Sequence, residues 1–170
     1  MNEPKIYIIS GKAGSGKDTV ADILKDNLKG KTIIISYASY LKEYAKNIVA
    51  WDGSSESKPR TFLQEIGDLV KSIDPNFLVN RILEDIEVYK HYYQNIIISD
   101  ARFVSEIKCI EEKYNSLKLY VYGRDNNLTD VQKKHNTETS LDGFKDYDYV
   151  INNNGTLEEL KKKVLEVLEG

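Results

Sequence analysis

Short runs of apolar residues alternate along the chain with longer stretches in which apolar residues recur every three or four positions. The short runs, rich in Ile, Val and Tyr, predict five β-strands at residues 6–9, 32–35, 96–98, 117–122 and 149–151. The longer stretches predict six helices at about 18–28, 38–50, 60–72, 76–90, 103–115 and 156–169. Nearly continuous apolar strands are typical of a parallel sheet that helices cover on both faces. The pattern therefore predicts an α/β fold with a doubly wound, mainly parallel five-stranded sheet.

Two connections are longer than this fold requires. Residues 37–92 place three predicted helices between the second and third strands, where one crossover helix would be enough. Residues 123–143 are polar and irregular, and they predict either a mobile lid or a plain surface loop. No internal repeat, low-complexity segment or linker interrupts the 170 residues, so we expect a single domain with one active site.

Composition and charge narrow the class of protein. With 41% hydrophobic and 30% charged residues, the chain has the composition of an ordinary globular protein. Its net charge is −3, and the densest basic cluster, residues 161–163, lies among glutamates in a helical pattern, so we expect no binding to polymeric nucleic acid. No segment approaches the roughly 20 apolar residues that span a bilayer, and the start lacks a secretion signal. We therefore expect a cytoplasmic protein without membrane contact, in which the single Cys109 is a buried, unreactive thiol.

The strongest chemical signal is the glycine-rich segment GKAGSGK at residues 11–17, which joins the first predicted strand to the first predicted helix. This spacing in this context is the P-loop motif. Its glycines let backbone N–H groups turn toward a phosphate, the helix N-terminus adds positive charge, and Lys17 can reach the β- and γ-phosphates of ATP. We expect Lys17 to be catalytic. The predicted ATP-binding residues here are Gly11, Ala13, Gly14, Ser15, Gly16, Lys17, Asp18 and Thr19.

Asp18 departs from the common form of this motif. A Ser or Thr hydroxyl usually follows the lysine and contacts magnesium, whereas here Asp18 follows Lys17 and Thr19 comes next. The Asp18 carboxylate could bind Mg²⁺ directly, bind it through water, or serve only as a favourable charge in the first helical turn. We expect metal contact, direct or through water.

Four segments resemble those of the bacteriophage-type deoxynucleoside monophosphate kinases. The first is GKAGSGKDTVADIL, in which Gly-Lys-Asp-Thr replaces the common Gly-Lys-Ser/Thr. The others are RTFLQEIGDLVKSIDPNFLVNRIL (60–83), similar to the family's acceptor-binding helices, IISDARFVSEI, similar to its third-strand motif, and HNTETSLDGFKDYDYVINNNGTLEEL, similar to its C-terminal signature. The resemblance covers most of the chain in the family's order. It implies a P-loop NTPase fold that uses ATP and Mg²⁺ to phosphorylate deoxynucleoside 5′-monophosphates, with the acceptor bound by the helical insertion at about 37–92.

Four residues are candidates for the acceptor side. Asp100 follows the third predicted strand, where open α/β sheets bind ligands, and it is a candidate for the magnesium shell or for acceptor contacts; alternatively, it caps the helix predicted from Phe103. Arg102, two residues on, is a candidate for both catalysis and acceptor binding. Arg60 begins a helix, where a cation is unfavourable unless it meets an anion, by resemblance the acceptor 5′-phosphate; a solvated arginine is the alternative. Gln64 lies on the same helical face and could reach the sugar or base.

The remaining candidates lie in the polar connections. Arg124 follows the fourth strand and either acts from a lid on the transferring phosphate or lies on the surface. Asn154, in the turn after the last strand, by resemblance lies near the adenine, although a turn with a helix cap explains it equally well. His135 and Glu138 could be an acid–base pair, but phosphoryl transfer by positioning needs no histidine base, so we expect His135 to be polar surface.

Other functions and assemblies stay open at this point. A dephospho-coenzyme A kinase shares the P-loop and a similar C-terminal strand and helix, although the segment 60–83 argues against it. A P-loop ATPase or regulatory protein without a small acceptor is disfavoured by the short chain. The resemblance also suggests a homodimer, for which apolar helix residues could provide surface unless the monomer buries them. These residues are Phe77, Leu78, Ile82 and Val88.

Overall fold

The computed structural model describes residues 3–54, 56–124 and 128–169. Within these ranges the strands are β1 Lys5–Ser10, β2 Thr32–Ile35, β3 Asn95–Ala101, β4 Ser116–Tyr122 and β5 Tyr149–Asn152. The helices are α1 Lys17–Asn27, α2 Tyr37–Ile48, α3 Arg60–Ile73, α4 Phe77–Tyr89, α5 Val104–Glu111, α6 Asp130–Lys133, α7 Asn136–Thr139 and α8 Leu157–Glu169. All five predicted strands and all six predicted helices are confirmed.

The five strands form one parallel sheet in the order β2-β3-β1-β4-β5. β1 lies in the middle, with Tyr7 opposite Ile97 of β3 on one side and Leu117 of β4 on the other. Because all strands run in the same direction, their carboxyl ends share one edge of the sheet, where open α/β sheets bind ligands. The predicted doubly wound fold is confirmed, and its central strand leads directly into the glycine-rich loop.

Two apolar layers hold the helices on the sheet. On one face, alternate strand residues such as Ile8 and Ile98 pack with Leu41 of α2 and Ile82 of α4. On the other face, the intervening residues pack with α1 and α8; this layer includes Ile97, Leu119, Leu24 and Val164. Side chains of a strand point alternately to the two faces, so burial on both sides requires the unbroken apolar runs seen in the sequence.

The predicted insertion consists of α2, α3 and α4 between β2 and β3. α4 lies against the sheet and buries Leu78 and Ile82, while Phe77 is partly buried and Val88 is exposed. The monomer thus accounts for most of the apolar surface that suggested a homodimer. By contrast, α3 packs on α2 and has no fully buried residue, so it stands at the outer side of the insertion.

The structure extends β3 to Ala101, so Asp100 lies within the strand and does not follow it as predicted. Two further differences concern α5 and the stretch 123–143. α5 ends at Glu111, not near residue 115, because the chain must turn to bring Ser116 opposite Ile6 of β1. The irregular stretch 123–143 contains two single-turn helices, α6 and α7, while residues 125–127 of the predicted lid lie outside the described part.

Cys109 is partly buried against the core and not fully buried as predicted. Among the described residues, no helix is both long and apolar enough to cross a lipid bilayer.

Candidate active site

The glycine-rich loop has a shape that only glycine permits at two positions. Gly16 has a φ of 96°, and a Cβ atom there would lie 2.2 Å from Nδ2 of Asn153. Gly11 has a φ of 149°, and a Cβ atom there would lie 2.2 Å from the carbonyl oxygen of Val121. The loop therefore packs closely against β4 and against the turn after β5: a side chain at position 11 would collide with the backbone of β4, and one at position 16 would displace the Asn153 side chain.

Lys17, the first residue of α1, folds its side chain back over this loop. Its Nζ atom donates hydrogen bonds of 2.8 Å to the carbonyl oxygens of Gly11 and Lys12. Burial lowers the pKa of Lys17 to about 8, and the nearby Arg102 guanidinium acts in the same direction. The ammonium group thus lies in a poorly hydrated place, where an added negative charge would be strongly stabilised.

Asp100 caps a different helix from the one the sequence suggested. Its Oδ1 atom accepts a hydrogen bond from the backbone N–H of Tyr37 at 2.8 Å, and its Oδ2 atom accepts from the Ser36 hydroxyl and the Ala38 N–H at 2.8 and 2.9 Å. Whereas the candidate role of Asp100 toward magnesium or the acceptor stays a prediction, the alternative interpretation, that it caps the helix predicted from Phe103, is therefore wrong. The reason is the strand order, since β3 lies beside β2 and α2 begins directly after β2.

Glu106 takes the capping role at the start of α5. Its Oε2 atom accepts hydrogen bonds from the backbone N–H groups of Arg102 at 2.7 Å and of Phe103 at 3.1 Å. Burial raises the pKa of Glu106 to about 7. Glu106 therefore fixes the backbone from which the Arg102 side chain projects.

A cavity of about 820 Å³, part of it open to solvent, lies beside the glycine-rich loop. The four predicted acceptor residues, Arg60, Gln64, Asp100 and Arg102, all line it. Ala13 lines it too, so the cavity reaches the glycine-rich loop. Apolar side chains from the insertion and from α5 complete its walls, and these are Tyr37, Leu41, Leu63, Leu78 and Phe103.

Five cations line this cavity: Lys42, Lys58, Arg60, Lys71 and Arg102. Burial, together with repulsion from Lys42, Arg60 and Arg102, lowers the pKa of Lys58 to about 8. Such a concentration of positive charge favours an anionic ligand. Sequence reasoning missed Lys42 and Lys58, because an isolated lysine in a polar stretch carries no signal until the fold brings it to a site.

The segment holding α6 and α7 covers this cavity from the other side. Thr137 and Glu138 line the cavity, and the Glu138 carboxylate accepts hydrogen bonds from the Ala13 N–H at 2.8 Å and from the Arg102 guanidinium. His135 bridges to α3, with Nε2 2.9 Å from Oδ2 of Asp68. The His135 side chain is 19% exposed, so the expectation that it is plain polar surface is wrong. Its position is set by the packing of this segment on α3, which no local pattern indicates.

Arg124 and Asn154 lie together, but not on the cavity. The Arg124 backbone N–H donates to Oδ1 of Asn154 at 2.9 Å, and the Arg124 side chain is exposed. In the described part of the chain it is Asn153 that braces the glycine-rich loop, since its Nδ2 atom donates to the carbonyl oxygen of Ser15 at 2.9 Å. Roles for Arg124 at the transferring phosphate and for Asn154 near the adenine stay predictions.

Two carboxylates were predicted to serve magnesium. Over the described ranges, no group of three or more His, Cys, Asp or Glu side chains is arranged to hold a metal ion. Mg²⁺ bound with a nucleotide needs only one or two carboxylates, because phosphate oxygens and water supply the rest. The exposed carboxylate of Asp18, next to Lys17, fits that requirement. Asp100 already accepts three hydrogen bonds, so it fits contact through a metal-bound water better than direct ligation.

Comparisons with known proteins agree with this geometry. The family model for deoxynucleotide monophosphate kinase matches residues 31–164. A protein of Acanthamoeba polyphaga mimivirus, provisionally named a deoxynucleotide monophosphate kinase, is 28% identical over 191 aligned residues, which cover 96% of this chain and 95% of that protein. The uncharacterized protein ORF77 of Ictalurid herpesvirus 1 (strain Auburn) is 29% identical over 148 residues, which cover 84% of this chain and 61% of that protein.

Solved kinase structures share the architecture. Shikimate kinase from Aquifex aeolicus vf5 has a TM-score of 0.54 at 15% identity, covering 98% of this chain and 96% of that chain. Dephospho-CoA kinase from Campylobacter jejuni has a TM-score of 0.53 at 15% identity, covering 97% of this chain and 96% of that chain. At this identity the likeness shows the fold alone. It confirms the P-loop kinase fold and favours neither of those substrates.

The buried position of Lys17 predicts a characteristic dependence of stability on pH in the absence of nucleotide. The folded pKa is about 8 and the ordinary value is 10.5, so between these pH values the unfolded chain binds more protons and the free energy of unfolding rises with pH. We expect wild type to gain stability relative to Lys17→Met from pH 8 to pH 10, by at most about 3 kcal/mol. Urea unfolding of both proteins at several pH values measures this difference. A constant difference across the range would contradict a lowered pKa.

Proposed function

The chain belongs to the deoxynucleotide monophosphate kinase family, and on that basis we propose that it transfers the γ-phosphate of ATP to a deoxynucleoside 5′-monophosphate. One observation carries the proposal: the cavity lined by five cations ends at the phosphate loop, where Ala13 belongs to both. In-line transfer requires the donor and acceptor phosphates to meet at such a place. The loop at residues 11–17 precedes the matched range 31–164, so two separate parts of the sequence support the proposal.

The loop and the start of α1 form the donor side. Backbone N–H groups of the loop and the N-terminus of α1 bind the β- and γ-phosphates of ATP. Lys17 stabilises the charge that develops on the transferring group, because its ammonium is buried within reach of the loop. Arg102 acts on the same group from the end of β3. When Mg²⁺ is bound, the ion neutralises charge on the donor phosphates, and Asp18 is the residue that would hold it.

The cavity forms the acceptor side. Lys42, Lys58 and Arg60 bind the 5′-phosphate of the acceptor, since they concentrate positive charge and form no salt bridge with the residues that the structure describes. The apolar walls, including Phe103, receive the base, and Gln64 offers an amide for hydrogen bonds to the sugar or base. An acceptor phosphate oxygen then attacks the γ-phosphorus, and the bond to the bridging oxygen of ADP breaks. An ionised phosphate needs no base to remove a proton, so His135 has no role as one.

The direct test of this function is product analysis. We expect wild type, incubated with ATP, Mg²⁺ and each of the four common deoxynucleoside monophosphates, to form ADP and a deoxynucleoside diphosphate. Lys17→Ala should lower kcat roughly 100-fold or more while leaving the fold intact, because the ammonium acts mainly in the transition state. Chromatography of the nucleotides measures both products, and circular dichroism checks the fold. Phosphorylation of dephospho-coenzyme A alone, or ADP release without any phosphorylated acceptor, would refute the proposal.

The cation cluster predicts an effect confined to the acceptor. We expect Lys58→Ala and Arg60→Ala each to raise the KM for the monophosphate about 10- to 100-fold, as loss of a charge-assisted hydrogen bond of about 1.5–3 kcal/mol implies. The KM for ATP should change little. Arg81→Ala is the matched control, because Arg81 pairs with Glu84 on α4, away from the cavity. Steady-state kinetics with either substrate varied gives both constants. Weaker ATP binding with unchanged acceptor kinetics would mean that the two sites are assigned in reverse.

The unusual Asp18 predicts a magnesium phenotype. We expect Asp18→Ala to shift the magnesium dependence of activity to higher concentration and Asp18→Ser to recover much of the loss, because a hydroxyl is the usual group at this position. A carboxylate that acts only on the helix dipole contributes about 0.3–1 kcal/mol to stability and leaves the magnesium titration unchanged. Asp22→Ala, one turn further along α1 and exposed, is the control. Superimposable magnesium curves for all four proteins would remove Asp18 from the metal site.

A further inference from the structure

Glu138 joins the two halves of the site, although the proposed chemistry assigns it no role. Its side chain is only 5% exposed. Oε2 accepts a hydrogen bond from the N–H of Ala13 in the phosphate loop, and Oε1 accepts one from the Arg102 guanidinium. The same Arg102 nitrogen also donates to the carbonyl oxygen of Thr137 at 3.3 Å. A single buried carboxylate therefore contacts both the donor loop and the arginine at the end of β3.

The backbone that carries Glu138 is attached to the acceptor helix α3. Three pairs of side chains make this attachment: Gln132 to Thr61 at 3.1 Å, His135 to Asp68 at 2.9 Å, and Gln64 to Thr137 at 3.5 Å. These contacts connect α3 to the segment that holds α6 and α7, and Glu138 connects that segment to the phosphate loop. Glu138 is therefore the side chain that links the α3 side of the cavity to the phosphate loop.

The contacts of Arg102 leave part of its guanidinium for a ligand. The hydrogen bonds that its side chain makes to the described residues all use Nη1. A guanidinium carries five N–H donors in a planar fork, so Nη2 and Nε retain theirs. Because Glu138 and Thr137 hold one end of the fork, the remaining donors have a fixed direction. Arg102 lines the cavity, so a phosphoryl group passing between the two sites lies within their reach.

We propose that Glu138 is a positioning residue that aims Arg102 at the transferring phosphoryl group and holds the phosphate loop at a fixed distance from α3. This inference rests on the proposed function. The alternative is that the carboxylate occupies an anion site of the loop and leaves when ATP binds. Departure would separate a buried carboxylate from the guanidinium that compensates it, which is costly in a poorly hydrated site. The paired, buried geometry therefore favours a group that stays in place during turnover.

The test compares Glu138→Gln, Arg102→Ala and the double variant in the kinase assay. Glutamine keeps the length of the side chain and removes the charge, so the Ala13 contact can persist while the hold on Arg102 weakens. We expect kcat to fall about 10- to 100-fold, with the KM values for ATP and acceptor within about threefold of wild type. In the Arg102→Ala background the same change should lower kcat less than about threefold further, because Glu138 acts through Arg102.

A matched control separates positioning from a loss of stability. Glu111→Gln makes the same chemical change in a carboxylate that pairs with Lys118, away from the cavity. We expect it to lower the melting temperature and leave kcat unchanged. Should Glu138→Gln fail to fold, Glu138→Asp provides the second variant, since it keeps the charge but is too short to reach both partners. Glu138→Asp should lower kcat in the same direction, and wild-type turnover in that variant would overturn the inference.

Four outcomes would overturn the proposal in different ways. Tighter ATP binding with unchanged kcat in Glu138→Gln would show that the carboxylate is an anion displaced by phosphate. Fully additive losses in the double variant would show that Glu138 does not act through Arg102. A wild-type protein that forms no deoxynucleoside diphosphate would refute the proposed function and this inference together, whereas an active wild type with an equally active Glu138→Gln refutes the inference alone.

Discussion

The parallel arrangement of the sheet, with β1 between β3 and β4, is the constraint on which the site depends. It brings the phosphate loop after β1 next to Asp100 and Arg102 at the end of β3. Because β2 lies beyond β3, the start of α2 comes within reach of Asp100, which accepts hydrogen bonds from it. On the other side, β5 places Asn153 under the loop. Each contact joins segments far apart in sequence, and each follows from strand order.

The same arrangement explains which parts of the molecule could be predicted from sequence. The inner strands β1 and β3 were found because a strand buried on both faces is apolar at consecutive positions. The partly buried edge strands β2 and β5 were found from their short runs of Ile, Val and Tyr. The phosphate loop was found because its chemistry is local, contained between β1 and α1. The end of α5 was misjudged because the amphipathic pattern continues past Glu111, while the pairing of Ser116 with β1 forces an earlier turn. A local sequence pattern carries no information about the pairing of strands that are far apart in the sequence.

Site residues that depend on tertiary contacts were correspondingly hard to assign. Asp100 was placed on the correct edge of the sheet, but the helix that it caps begins at residue 37, and only the strand order reveals that. Lys42 and Lys58 join the cation cluster through the packing of α2 and α3, and nothing near them in sequence sets them apart from surface lysines. Glu138 was considered only as a partner of His135, whereas its contacts are with Ala13 and Arg102. No spacing pattern in the sequence identifies these residues, because their partners lie on other helices and strands.

The hydrogen bonds that the carboxylates of the site accept leave the positive charge of Lys42, Lys58 and Arg60 available to substrates. Asp100 and Glu106 accept hydrogen bonds from backbone N–H groups and a hydroxyl, so they organise α2 and α5 and form no salt bridge within the described ranges. Among the described residues, Lys42, Lys58 and Arg60 form no salt bridge.

Arg102 is the exception, and its pairing with Glu138 constrains its direction and leaves donors for a ligand. The whole chain has a net charge of −3, yet five cations against four carboxylates line the cavity, so anion binding follows from local placement and not from overall charge. Repulsion among these cations in the ligand-free protein disfavours folding, and bound phosphates relieve it. Nucleotide binding should therefore stabilise the fold by more than its direct contacts alone suggest.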